Sequence, residues 1–203
     1  MSDIRAEYQQ RHDRILVPLA TRLRDHIQEF VKDVPRIDRI AARAKSVDRF
    51  VAKAEKLTDN GARKYSDPLS QIQDQIGARI ILFYLNDVEK MVTLVNQYFT
   101  SIEEKEIVPD EDSKFGYVGR HFILFFPSEL FDQQLPKDDA PEFFELQVKT
   151  LFQHAWAESN HDLAYKPDRS LTAEELRYVA FTAAQSWGAD RIMNELFIKT
   201  VNS

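Results

Sequence analysis

The change of period at residue 151 constrains this chain more than any other feature. Phe144, Leu146 and Val148 alternate with Glu145, Gln147 and Lys149. As a strand, that puts apolar side chains on one face and an acid, an amide and a base on the other. From Leu151 the period is helical: Leu151, Phe152, Ala155, Trp156, Ser159 and Leu163 are expected to face a core, and His154, Glu158, His161 and Tyr165 share another face. A polar strand face thus runs into a polar helix face. Taken alone, the pattern describes a half-solvated edge strand followed by an amphipathic helix.

The chain has 203 residues, 43% hydrophobic and 30% charged, enough for one good core, and a single domain over residues 1–203 is the economical expectation. No apolar run approaches the roughly 20 residues that span a bilayer, and Met1–Glu7 lacks the apolar region of a signal peptide. A cytoplasmic protein without membrane contact is expected. The absence of cysteine excludes disulfides, thiolate metal sites and a cysteine nucleophile. A formal charge of -6 argues against a general nucleic-acid coat.

Taken in order, residues 4–33 carry a helical apolar stripe that Pro18 is expected to kink or divide. After Pro35, a second amphipathic helix is expected from Ile37 to Leu57, ending before the Asp59-Asn60-Gly61 turn. The β-branched and aromatic run Gly77–Leu85 reads as a buried strand, and Asn86-Asp87 as a cap for a helix through Phe99. Short strands follow at Ser101–Val108 and Phe122–Phe126, separated by an acidic loop at 109–113 and by Gly116–His121. The proline-containing excursion 127–141 leads to the strand described first. A last helix through Val201 is more apolar than one buried face needs, so part is expected to cover the core and part to form a subunit contact.

Between Arg43 and Lys64, the bases Arg43, Lys45, Arg49, Lys53, Lys56, Arg63 and Lys64 outnumber the acids Asp48, Glu55 and Asp59. Guanidinium groups at Arg43 and Arg49 with the ammoniums of Lys45 and Lys53 suit phosphate recognition, or else a solvated basic face.

These residues, together with motifs further along, resemble a family. Arg43-x-Lys45-Ser46 with Lys53, Asp74-x-x-Gly77-x-Arg79, Gly116-Tyr117-x-x-x-His121, Glu145-x-Gln147-x-Lys149-Thr150, and Trp156-Ala157-Glu158 with His161 through Tyr165-Lys166 are similar, in order and spacing over about residues 40–170, to the synthetase domain of RelA/SpoT-type guanosine tetra- and pentaphosphate synthetases. The resemblance implies an α+β fold, a mixed β-sheet flanked by helices and similar to nucleotidyltransferases. It implies an ATP-dependent pyrophosphokinase that transfers pyrophosphate to the 3'-hydroxyl of GDP or GTP and releases AMP. The length matches a single-domain small alarmone synthetase. His12-Asp13 and His161-Asp162 lack the further spaced ligands that a metal-dependent hydrolase domain would need.

Pyrophosphoryl transfer between two anionic nucleotides rests on positioning and charge neutralisation. A hard cation such as Mg2+ prefers carboxylates, which makes Asp74 and Glu145 the expected metal ligands and catalytic pair. By resemblance, Glu145 is also the candidate acceptor of the 3'-hydroxyl proton. Arg43, Lys45, Lys53 and Arg79 resemble the ATP-binding cations, and Tyr117 the tyrosine that stacks on guanine. His121, Gln147, Lys149 and His161 are expected on the acceptor side. His154, Glu158 and His161 share a helix face at zinc-like spacing, but no second element completes such a site.

The chain departs from the family pattern in several places: Arg49 replaces a serine, Val118 and Gly119 replace a basic residue and a serine, and Lys149 replaces an arginine. Acidic residues around Asp110–Asp112 replace a basic segment. The ammonium of Lys149 lacks the bidentate fork of an arginine, and by the resemblance these changes fall mainly on the acceptor side. Alongside GMP, GDP or GTP, two alternatives stay open: a relative that pyrophosphorylates the 3' end of tRNA, and a non-catalytic nucleotide sensor. A homo-oligomer is compatible with the final helix.

Overall fold

The computed structural model describes residues 4–111, 114–165 and 169–201. The side chains of Ala164 and Tyr165 and the whole of Lys166, which the sequence motif includes, lie outside that description. The elements are α1 (Ile4–Arg11), a π-turn (His12–Leu16), α2 (Val17–Phe30), β1 (Ile37–Ala44), α3 (Val47–Ala54), a single turn α4 (Pro68–Gln71), β2 (Ile76–Leu82), α5 (Leu85–Tyr98), β3 (Ser101–Ile107), β4 (Gly119–Phe125), β5 (Phe143–Thr150), α6 (Leu151–Tyr165) and α7 (Ala173–Val201).

The strands form one five-stranded sheet in the order β1-β2-β5-β4-β3. β2 and β5 run parallel and every other neighbouring pair is antiparallel. The alternation in β5 decides how the sheet is covered. Phe144, Leu146 and Val148 are fully buried, and they merge with Phe122 and Leu124 of β4, Ile76 and Ile80 of β2, Leu19, Leu23 and Ile27 of α2, Phe50 of α3 and Met91 and Val95 of α5 into one core. Non-polar burial on that scale is the main term holding sheet and helices together. The opposite side chains, Glu145, Gln147 and Lys149, turn to a cavity.

Several sequence expectations need correction. Residues 37–44 form strand β1, not the start of a helix; the helix is confined to Val47–Ala54. Ile40-Ala41-Ala42-Arg43-Ala44 has a helix-favouring composition, but pairing with β2 overrides it, with Ala42 opposite Ala78 and Arg43 opposite Gly77. The break expected at Pro18 falls just before it: residues His12–Leu16 form a π-turn in which the Val17 N–H reaches the His12 carbonyl, and Pro18 is the second residue of α2.

Asn86 and Asp87 do not cap α5. Tyr84 precedes the helix, the Asn86 N–H is bonded by Asn194 Oδ1 of α7 at 2.8 Å, and Asp87 takes a bidentate bond from Arg36 at 2.7 and 2.8 Å. The expected faces of α6 are also displaced. Phe152, Ala155, Ser159 and Leu163 are exposed while His154 is buried, because α6 packs beside α7 and Trp156 Nε1 donates to the Val179 carbonyl and Thr182. Helix α7 leaves Leu176, Phe181, Ile192 and Leu196 exposed, in line with its surplus of apolar residues. Among the described residues no helix is long and apolar enough to cross a membrane.

Candidate nucleotide site

Strand pairing builds the site. Gly77 of β2 lies opposite Arg43 of β1 on one side and Glu145 of β5 on the other; Arg79 lies opposite Gln147, which in turn lies opposite His121 of β4. Four strands therefore aim their polar residues at the same space. A cavity of about 770 Å³ opens there, lined by Arg43, Lys45, Arg49, Asp74, Gly77, Arg79, Tyr117, His121, Glu145, Gln147, Lys149, Trp156, Glu158, Asn160 and His161. Every expected site residue lines it except Lys53, which reaches the site through Asp74.

Two carboxylates anchor the wall. Asp74 lies in the turn before β2, and its oxygens face Lys45 Nζ and Lys53 Nζ, each at 2.9 Å. Burial alone would raise its pKa, but the two ammoniums outweigh burial and hold it below the usual carboxylate value. Glu145 Oε1 is 2.8 Å from His121 Nδ1, and the Tyr117 hydroxyl is 2.6 Å from His121 Nε2. Burial again pushes upward, yet the bond from His121, reinforced by Gln147, leaves the Glu145 pKa below its ordinary value. An ionised carboxylate only accepts, so Nδ1 carries the proton toward Glu145. In a neutral ring, Nε2 then accepts from Tyr117. The result is a relay from phenol to imidazole to carboxylate.

Cations crowd the rest of the cavity. Burial, followed by the proximity of Arg79 and Arg49, lowers the pKa of Arg43. Lys149 is only 2% exposed, and its Nζ sits 5.1 Å from the centre of the Tyr117 ring. Burial and then the nearby Arg79 lower its pKa from 10.5 to about 8. Five cationic side chains, Arg43, Lys45, Arg49, Arg79 and Lys149, line the cavity against three carboxylates, Asp74, Glu145 and Glu158. In a chain of net charge -6, that concentration of positive potential favours a polyanion.

Arg49, which the sequence offers as part of the basic run, and Glu158 and Asn160, which it does not place in the site, also line the cavity. Glu158 binds Arg79 at 2.7 Å. Its place in the Trp156-Ala157-Glu158 motif is the sequence signal for this position. Among the described residues no cluster of three or more potential ligands could hold a metal ion on its own.

The segment Lys114–Gly119 has two sides. Tyr117 faces this cavity, whereas Phe115, Gly116 and Val118 line a second one. A Cβ on Gly119 would lie 2.8 Å from the Tyr117 hydroxyl oxygen and 3.2 Å from Cζ. Glycine at this position is what lets the Tyr117 ring fold back over its own strand and reach His121.

The sheet and its flanking helices are those of the nucleotidyltransferase-like synthetase fold, shared with small alarmone synthetase 1 from Bacillus subtilis (TM-score 0.74, 17% identity, 92% of this chain and 95% of that one covered). They are shared equally with a GTP pyrophosphokinase family protein from Streptococcus pneumoniae (TM-score 0.74, 18% identity, 97% and 94% covered). Residues 42–170 match the family model described as a region found in RelA / SpoT proteins, and the chain belongs to that family. A curated relative, GTP pyrophosphokinase YjbM of Bacillus subtilis (strain 168), is 26% identical over 145 residues, 69% of this chain. The chain spans 62% of the length of that relative.

Proposed function

We propose that this protein is an ATP-dependent pyrophosphokinase that transfers the β,γ-pyrophosphate of ATP to the 3'-hydroxyl of GDP or GTP. The observation that carries this reading is one cavity wall holding a crowd of cations together with two ionised carboxylates, one of them joined to a histidine and a tyrosine. Family membership and the likeness to a GTP pyrophosphokinase support it.

In this reading Arg43, Lys45, Lys53 and Arg79 bind ATP, with their charge set against its phosphates. Tyr117 stacks on the acceptor base, and His121, Gln147, Lys149 and His161 hold the acceptor. Crowded cations gain most from a polyanion, so binding energy is spent on orienting two nucleotides that would otherwise repel. The acceptor 3'-oxygen forms a bond to the β-phosphorus, the bond from that phosphorus to the α,β-bridging oxygen breaks, and AMP departs. Glu145, kept ionised, accepts the 3'-hydroxyl proton, and His121 fixes the orientation of its carboxylate.

Mg2+ suits Asp74 and Glu145, because it commonly takes one or two carboxylates and completes its shell with substrate phosphates and water. Gly77, the strand neighbour of Glu145, has nothing within 4 Å of where a Cβ would sit, which leaves open space beside that carboxylate. When bound, the ion would neutralise phosphate charge as it builds on the leaving group.

The test uses ATP labelled at the β and γ phosphates with Mg2+, offered GMP, GDP, GTP or deacylated tRNA. Label on a guanine nucleotide, lost by a factor of at least about a hundred in Glu145→Gln, is the expected result. Label on tRNA alone, or no transfer by protein that binds ATP, overturns the reading. Tyr117→Ala should raise the KM of the acceptor while leaving that of ATP nearly unchanged, and an equal rise in both would remove Tyr117 from the acceptor side.

A further inference from the structure

A second cavity of about 520 Å³ lies behind the Lys114–Gly119 segment, walled by α5, β4, α6 and α7. Its size is that of a small-molecule site. Its most informative residue is Asp190 of α7, only 3% exposed. Asp190 Oδ2 accepts from the Thr150 hydroxyl at 2.7 Å, while Oδ1, also buried, has no hydrogen-bond partner. Burial raises the pKa of this carboxyl to about 6, with the Thr150 bond only partly opposing the rise. A buried acceptor left open is costly unless a donor meets it. Arg120, on the β4 wall of the same cavity, supplies the complement: its Nε–H is buried and unpartnered, while its Nη groups are bonded to Glu104 and Glu106.

The remaining lining is aromatic. Phe115 and Trp187 meet edge to face at 5.7 Å, and Trp156 completes the apolar surface. The charges speak against phosphate. Lys114 is bonded to Glu111 at 2.6 Å, Arg191 lies 4.4 Å over the Trp187 ring, and Arg120 is held by glutamates. Glu89, Glu106, Glu111 and Asp190 outnumber those three cations. A ligand here must bring a flat apolar body, one donor and one acceptor, and little negative charge.

We propose that this cavity is a binding site for an uncharged planar heteroaromatic compound of nucleoside size, with an N–H donating to Asp190 Oδ1 and an acceptor atom receiving Arg120 Nε–H. No part of the proposed pyrophosphoryl transfer uses Asp190, so the two readings stand apart.

Trp156 and Trp187 are the chain's two tryptophans, and a Trp156→Phe protein leaves Trp187 as the sole reporter in the cavity wall. Its fluorescence is titrated with guanosine, adenosine and cytidine, with saturating ATP and GDP present to hold the first cavity. Saturable change with at least one nucleoside is expected, and Asp190→Asn, which keeps the shape and a bond to Thr150, should weaken binding by about tenfold or more. If that variant fails to fold, Phe115→Ala replaces it with the same expectation of weakened binding. No saturable change with any of the three, equal affinity in the variant, or a change seen only when ATP and GDP are left out overturns the site.

Discussion

Replacing Lys149 by methionine should make the protein more stable. The Lys149 ammonium is buried beside Arg79, and its pKa falls from 10.5 in the unfolded chain to about 8 in the folded one. That difference corresponds to roughly 3 kcal/mol of penalty for the charged form. The penalty is fully present below about pH 8, where both states carry the proton. Between about pH 8 and 10.5 the unfolded chain binds more protons than the folded one, so stability rises with pH there. Above that range the penalty has gone. Methionine fills much the same space without a charge, at the loss of the cation over the Tyr117 ring.

Urea unfolding of wild type and Lys149→Met at about pH 7 should therefore show the variant ahead by about 2–3 kcal/mol, and at about pH 10 most of that advantage should have vanished. A variant less stable than wild type at neutral pH, or an advantage equal at both pH values, would refute the reasoning. The same residue links stability to binding. A phosphate placed near Lys149 raises its pKa again, so binding of an anionic nucleotide at about pH 8 to 9 should take up a proton, visible as a buffer-dependent binding enthalpy.

Gly119→Ala should drive the Tyr117 ring off His121, because the new methyl would lie 2.8 Å from the phenolic oxygen. The expected signs are a changed His121 ring-nitrogen shift by NMR and a stability loss of about 1 kcal/mol or less, and an unchanged His121 spectrum would show that the ring finds another way round. Arg36→Ala should cost about 3 kcal/mol in urea unfolding, because it strips both bonds from an Asp87 that is only 4% exposed. Asp87→Asn added to that variant should recover part of the loss, and no recovery would assign the cost to packing against Phe197 instead.

Strand β5 was legible in sequence because its two faces meet different media, core and cavity, and a period of two records that difference directly. β1 was hidden, since Ala41, Ala42 and Ala44 favour a helix and become a strand only because β2 offers a partner edge. Helix α6 misled for a related reason. Phe152 and Leu163 suggested a buried stripe, but both are exposed and His154 takes the interior position. Within the site, the acids, bases and tyrosine were legible as chemical types in a family order. The pairings were not: that Asp74 holds both Lys45 and Lys53, that Glu145 is tied to Tyr117 through His121, or that Lys149 is buried at all follows from which strands lie side by side. Asp190 gave no sequence signal, since an acid within an apolar helix resembles any solvated residue until Thr150 is seen beneath it.

The two-sided segment Lys114–Gly119 has one more consequence. Tyr117 belongs to one compartment while Phe115 and Val118 belong to the other, on a partition one backbone thick. Whatever shifts that partition couples the two sides by one and the same free energy, equal in size and in sign. If filling the rear compartment steadies Tyr117 and so tightens the front ligand by some factor, the front ligand must tighten the rear one by the same factor. Measuring either affinity with the other compartment filled and empty therefore determines both effects at once.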